Sequence, residues 1–411
     1  MKKMKRSALL VLTVVIALMA AACASSDDTT SSGGGGGGGG GQAGDSTGVT
    51  DDEILFGMAT PTSGNASSLG IDGQKGAEVF VKWINEQGGT NGRDWKLVVQ
   101  DDGFDLQKKV TAIQYLIQQE EVFAIWGDVG SQAVAALPVI NQSKVPYLFP
   151  YALAQQMIDP VQPYVFMDIP MADTQEKALS DHLGEELTGD PKFGLLTLNS
   201  ADGQDAVRGF KEGAAGDWVV SEQQYERTAT SWEPQLVAMK DAGVTHIVIH
   251  GSDVWTAKIM TEAQKLGMDV QFYGSSGSVT PQTFALAGDD VAEGAQAVAI
   301  FAPATATDIP GIEEFMAAFE KYEPGYQPGA FALSSWVGGL ITAGALEKID
   351  GTPTREALIA EIEKLEDFDT GGITAEQTFS KDDHDGSDKV MIVEAQGGKW
   401  VPITDWISPK D

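Results

Sequence analysis

TPTSGNASSLGIDGQKGAEVFVKWINEQGGTNGRDWKLVVQDD, residues 60–102, changes its hydrophobic period twice. Ala77, Phe80, Val81 and Ile84 recur at i, i+3, i+4 and i+7, one apolar face of a helix. GGTNGR at 88–93 breaks that helix with Gly and Asn-Gly turn chemistry. WKLVVQ at 95–100 reads as a strand, and ILFGM at 54–58 as the strand before the helix. The same rhythm spreads outward. Val110, Ile113, Leu116 and Ile117 line a second helix; VFAIW (122–126), a helix from Ser131, and VPYLFP (145–150) follow. After Pro160 it restarts with FGLLTL (193–198), WVVSE (218–222), HIVIH (246–250) and VQFYG (270–274), helices between. Strands alternating with helices predict parallel, doubly wound α/β sheets, and two runs predict two similar lobes.

The N-terminal 51 residues follow other rules. Lys2, Lys3, Lys5 and Arg6 precede an apolar run from Ala8 to Ala22, too short to span a bilayer, with small residues at its end. Residues 1–22 therefore read as a secretory signal. Cys23 is the only cysteine, so no internal disulfide framework exists. Residues 23–51 are rich in Gly, Ser, Thr and Asp, which cannot offset the entropy of ordering a backbone, and read as a disordered linker.

The formal charge is −32, and −36 once the signal's four cations are removed. Such a chain is repelled by nucleic acid and by anionic headgroups. His182, His246, His250 and His384 show no metal-ligand spacing, and no P-loop, G-x-S-x-G or C-x-x-C occurs. GSSGS at 274–278 is only loosely like a nucleophile turn. No enzyme is expected from these motifs, with a hydrolase as the remote alternative. No cofactor or metal is expected.

The quoted stretch resembles the opening of the leucine/isoleucine/valine-binding family of periplasmic solute receptors. The likeness continues through VPYLFPYA, YVFMDIP, GFKEG, HIVIHG and QKLGMDVQFYGSSG, over about residues 52–350. The resemblance implies a type I periplasmic-binding fold, with two Rossmann-like lobes joined by three crossovers and a ligand between them. Lobe one would be 52–168 plus 301–368, and lobe two 169–300 plus 369–411. MDIP (167–170) and IFAP (300–303) would be crossover strands, and the third crossing would fall near 367–372. The residues before Cys23 resemble a lipobox, except that Ala20 stands where Leu is usual. That implies a lipid anchor at Cys23, on the extracytoplasmic face of the cell membrane.

The resemblance also points to site residues. Ser131, opening a helix in WGDVGS, matches the family position that holds the ligand's carboxylate, where free N–H groups suit an anion. In PYALA (150–154), Tyr151 would offer its backbone carbonyl beside Ala152, while Leu153 replaces a family threonine. Asp202 stands where the family has an aromatic. Ser252 or Asp253, with Trp255 close by, follows HIVIH. Ser276 replaces the acid that pairs with the ligand's ammonium. Asp128 adds a second acid near the cleft, or caps its own turn. Trp232 is expected to pack within a lobe near the cleft rim. The implied function is delivery of an amino acid or related small polar solute to an ABC permease by a monomeric, membrane-anchored receptor. A sensing receptor without transport is the alternative.

Overall fold

The structure is a computed structural model that describes residues 44–64 and 66–410, apart from the side chain of Ser131. Cys23 and the signal segment lie outside the described residues. Twelve strands are described: β1 (Glu53–Thr60), β2 (Asp94–Asp101), β3 (Ala124–Trp126), β4 (Tyr147–Leu148), β5 (Val165–Phe166), β6 (Phe193–Leu198), β7 (Val219–Tyr225), β8 (His246–His250), β9 (Gln271–Gly274), β10 (Gln296–Ala299), β11 (Met391–Gln396) and β12 (Lys399–Pro402). The helices between them are α1 (Ser67–Glu86), α2 (Leu106–Gln118), α3 (Leu137–Ser143), α4 (Ala172–Glu186), α5 (Ala201–Glu212) and α6 (Glu233–Asp241). They continue as α7 (Asp253–Lys265), α8 (Pro281–Ala287), α9 (Asp289–Ala292), α10 (Pro310–Tyr322), α11 (Ala330–Leu346) and α12 (Arg355–Ile362).

One sheet has the order β2-β1-β3-β4-β5, all parallel. The other runs β12-β11-β10-β9-β8-β6-β7, and its β7-β6-β8-β9-β10 portion is parallel and repeats the order of the first. Antiparallel β11 and β12 extend its edge. Two doubly wound lobes result, as the strand-helix rhythm predicts. The central strands β3, β6 and β8 are covered on both faces and are near-continuous apolar runs, whereas the edge strand β7 alternates between exposed and half-buried residues. In β8, Ile247 and Ile249 join one apolar cluster while Val248 joins the other, across the sheet.

The expected helix face of α1 is the buried one: Ala77, Phe80 and Ile84 are inside and Val81 is half-buried. Gly88, Gly89, Asn91 and Gly92 take positive φ, which ends the helix and turns the chain into β2. Phe80, Trp95, Trp126 and Trp336 interlock edge-to-face or tilted under this helix.

Four expectations are corrected. Residues 44–51 are not leash. The Asp45 carboxylate pairs with Arg355, Asp45 N–H donates to Glu356 Oε2 at 2.9 Å, and Leu55 N–H donates to the Gly48 carbonyl at 2.8 Å. Hydrogen bonds rather than apolar burial hold this segment, so composition concealed it. The segments 167–170 and 300–303 are not strands. β5 stops at Phe166 and β10 at Ala299, and Pro170 and Pro303 have no N–H for a ladder. The third crossing runs later than 367–372. Phe379 and His384 still pack on Phe166 of lobe one, and the chain enters the second sheet at Met391. Finally, Ser131 opens a 3₁₀ turn, Ser131–Ala136, and the α-helix starts only at Leu137, with Pro138 in its first turn.

Candidate functional site

A cavity lies between the lobes, beyond the carboxyl ends of β3, β4, β6, β8 and β9. Open α/β sheets bind ligands there. Lobe one lines it with Leu69, Phe104, Val129, Tyr151, Leu153 and Phe331. Lobe two supplies Leu198, Asp202, His250, Ser252, Trp255 and Ser275. The two walls differ in kind: one is apolar, the other carries the charge.

Asp202 sits in the first turn of α5, whose N-cap Ser200 accepts from Gly203 N–H at 3.3 Å. Its Oδ2 lies 3.6 Å from His250 Nε2, and its Oδ1 is buried without a hydrogen bond. His250 ends β8, and its Nδ1 lies 3.3 Å from Glu176 Oε1 on α4. Burial alone would lower the His250 pKa. The Asp202 and Glu176 carboxylates outweigh it and hold the imidazole up at about 9. Burial opposes ionisation of Asp202, but His250, Ser200 and Arg227 together keep its carboxyl below the usual range. The result is an ionised Asp202 beside a protonated His250.

The lobes touch across this cavity. Tyr151 Oη lies 3.1 Å from Ser276 Oγ. The Arg227 guanidinium, at the end of β7, rests 4.6 Å from the centre of the Phe104 ring.

The sequence-nominated residues divide. Tyr151, Asp202 and Ser252 line the cavity. The Tyr151 carbonyl, expected to face ligand, accepts from Gly130 N–H at 3.0 Å; its phenol ring forms the wall instead. Ala152 is buried behind the wall. Asp253 opens α7, where its carboxylate accepts from Val254 N–H (2.7 Å) and from the Thr280 hydroxyl (2.8 Å), and it borders a neighbouring cavity with Asp72. Ser276 faces a third, apolar cavity near Trp400. Trp232 is wholly buried in lobe two, edge-on to Tyr225. Of Ser131, the structure describes the backbone turn alone.

Asp128 is not a cleft acid. It is fully buried, engaged by Lys109 Nζ and the Tyr147 hydroxyl. Lys109, also fully buried, reaches Asp102 Oδ2 at 2.6 Å and the Ala59 carbonyl. Burial pushes the Asp128 carboxyl up to about 6 in spite of Lys109. The cluster is a floor beneath the apolar wall. Sequence reasoning missed Lys109 because nothing local distinguishes it from Lys108. It also missed His250, Phe104 and Phe331. The position of His250 at a strand's carboxyl end was the available signal.

A family model described as periplasmic binding protein matches residues 53–399. This chain belongs to the periplasmic binding protein family. Its members are solute-binding proteins, not enzymes. Among relatives, Leu/Ile/Val-binding protein homolog 7 of Brucella abortus (strain 2308) is 26% identical over 369 residues, covering 85% of this chain and 91% of that one. A fatty acid ABC transporter substrate-binding protein from Thermomonospora curvata superposes with a TM-score of 0.80 at 24% identity, over 88% of this chain and 94% of its own. A branched-chain amino acid ABC transporter protein from Thermus thermophilus with bound valine gives 0.78 at 22%, over 87% and 97%. These two structures share the fold of this periplasmic binding protein. Among its described residues, no helix is long and apolar enough to cross a membrane.

Proposed function

We propose that this periplasmic binding protein is the extracytoplasmic receptor of an ABC importer. It binds an amino acid or related small organic solute between its lobes and presents it to a permease. The observation that carries the reading is the interlobe cavity, walled by both lobes and bridged by Tyr151 and Ser276. A solute that contacts both walls favours the closed arrangement, because only that arrangement offers both sets of contacts. The protein's likeness to substrate-binding proteins of ABC transporters supports an importer. The signal, the lone Cys23 and the glycine tract support a lipid anchor with a leash, which raises the receptor's effective concentration near its permease.

The test is a thermal-shift screen of amino acids, amides, amines and small carboxylates, followed by X-ray scattering. A bound solute should add about 2.7 kcal/mol at a hundredfold excess over Kd, and should contract the protein. A panel in which no solute does either, or a bound solute converted into product, would overturn the reading. The anchor has its own readout: a Cys23→Ser protein is expected in the medium rather than with the membrane fraction.

A further inference from the structure

We propose that the cleft selects a protonated amine with an apolar body and no carboxylate. This rests on the receptor reading above and names its ligand class.

Four rings, Phe104, Tyr151, Trp255 and Phe331, line the cavity. Ring faces attract organic cations, and desolvation strengthens that attraction. The charged group among the lining residues that has an uncommitted atom is Asp202. Its Oδ1 is buried and accepts no hydrogen bond, while Oδ2 faces His250. A buried carboxylate oxygen left without a donor is costly, and a ligand N–H would remove that cost. An ammonium supplies both the charge for the rings and the donor for Oδ1.

Among the described side chains, a carboxylate finds no free cation. Both nitrogens of His250 already face carboxylates, Glu176 at 3.3 Å and Asp202 at 3.6 Å. Lys109 is enclosed beneath the floor by Asp102 and Asp128. Arg227 lies against Phe104 and its charge acts on Asp202; it does not belong to the cavity lining. The position of the family threonine is Leu153, beside Val129 and Leu69, so that wall offers methyl groups where an amino acid's carboxylate would need donors. Ser276, at the family's ammonium-pairing position, accepts from the Tyr151 hydroxyl and borders a different cavity. Among the described side chains, the family's threonine and its ammonium partner are therefore both missing from their usual places. Asp202 restores one of them.

Titration calorimetry on matched probes tests this. Isoamylamine, leucine and isovalerate share one apolar body; phenethylamine, phenylalanine and phenylacetate share another. Each amine is expected to bind at least about tenfold tighter than its amino acid, and each carboxylate not at all at about 1 mM. Isoamyltrimethylammonium, the same body and charge with no hydrogen-bond donor, is expected to bind about tenfold more weakly than isoamylamine. Asp202→Asn should lose amine binding, and should also melt lower, because it removes one of the two carboxylates that hold His250. If that variant does not fold, Trp255→Leu should weaken the amines instead. Leucine or phenylalanine binding more tightly than its amine would overturn the proposal and leave the receptor reading standing. So would amines that bind nowhere while another solute contracts the protein. Isoamyltrimethylammonium matching isoamylamine would overturn the role given to Asp202 Oδ1. A protein that no solute contracts fails at the receptor reading itself.

Discussion

His250 concentrates the chemistry of the site in one ring. It is buried, which disfavours its charge, and two carboxylates reverse that preference. Its pKa of about 9 in the folded protein stands above the 6.5 of an unperturbed histidine. The contribution to stability is therefore complete below pH 6.5 and lost as the pH rises through about 9. Linkage puts its size at about 3 kcal/mol, to within a factor of two. Asp168 complicates the raw curve. Neither of its oxygens is hydrogen-bonded, burial pushes its carboxyl well above the usual range, and it too loses stability with rising pH. The informative quantity is thus a difference. His250→Gln should be less stable than wild type at pH 6.5, and urea midpoints of the two should converge by about pH 10. Parallel curves across that window would show that His250 is not charged in the folded protein.

Helix α1 shows how an element positions the site. Its Gly76 sits against α11, where a Cβ would fall 2.3 Å from the Ala332 carbonyl oxygen. That close approach keeps Leu69 of α1 and Phe331 of α11 on the same wall of the cavity. Gly76→Val should cost about 1–3 kcal/mol of stability by overpacking. It should weaken ligand binding as well, since the wall moves with the helix. A chemical denaturation midpoint within error of wild type would refute the contact. The sequence carried α1 and most strands well, because period and turn chemistry are local. β6 and β8 fall on the residues the pattern marks, FGLLTL and HIVIH. It failed at the crossings, where segments are held by single bridges such as Met167 to Asp385, and at 44–51, anchored to residues some 310 positions away. It placed Asp202 at the cavity but misplaced Asp128 for the same reason. A carboxylate near a strand end looks identical in sequence whether it faces solute or a buried lysine from the neighbouring helix.

At the scale of the whole molecule, the lobes meet at several points, among them Gln155 N–H with Asp205, Phe104 with Arg227 and Tyr151 with Ser276. Tyr151 does two things, since its ring walls the cavity and its hydroxyl reaches Ser276 across it. The phenol is buried, and burial raises its pKa, so the group is a neutral donor at any physiological pH. When the lobes part, the hydroxyl exchanges Ser276 for water. The hydrogen bond is worth about 0.5–1.5 kcal/mol net, and it weighs on closure rather than on the folding of either lobe. Tyr151→Phe keeps the aromatic wall and removes only this latch. Its affinity for any bound solute should fall about threefold to tenfold, with most of the change in the dissociation rate, since the latch forms after encounter. Its melting temperature without solute should move little. Equal dissociation rates for the variant and wild type, measured by stopped flow, would show that the lobes close without help from this contact.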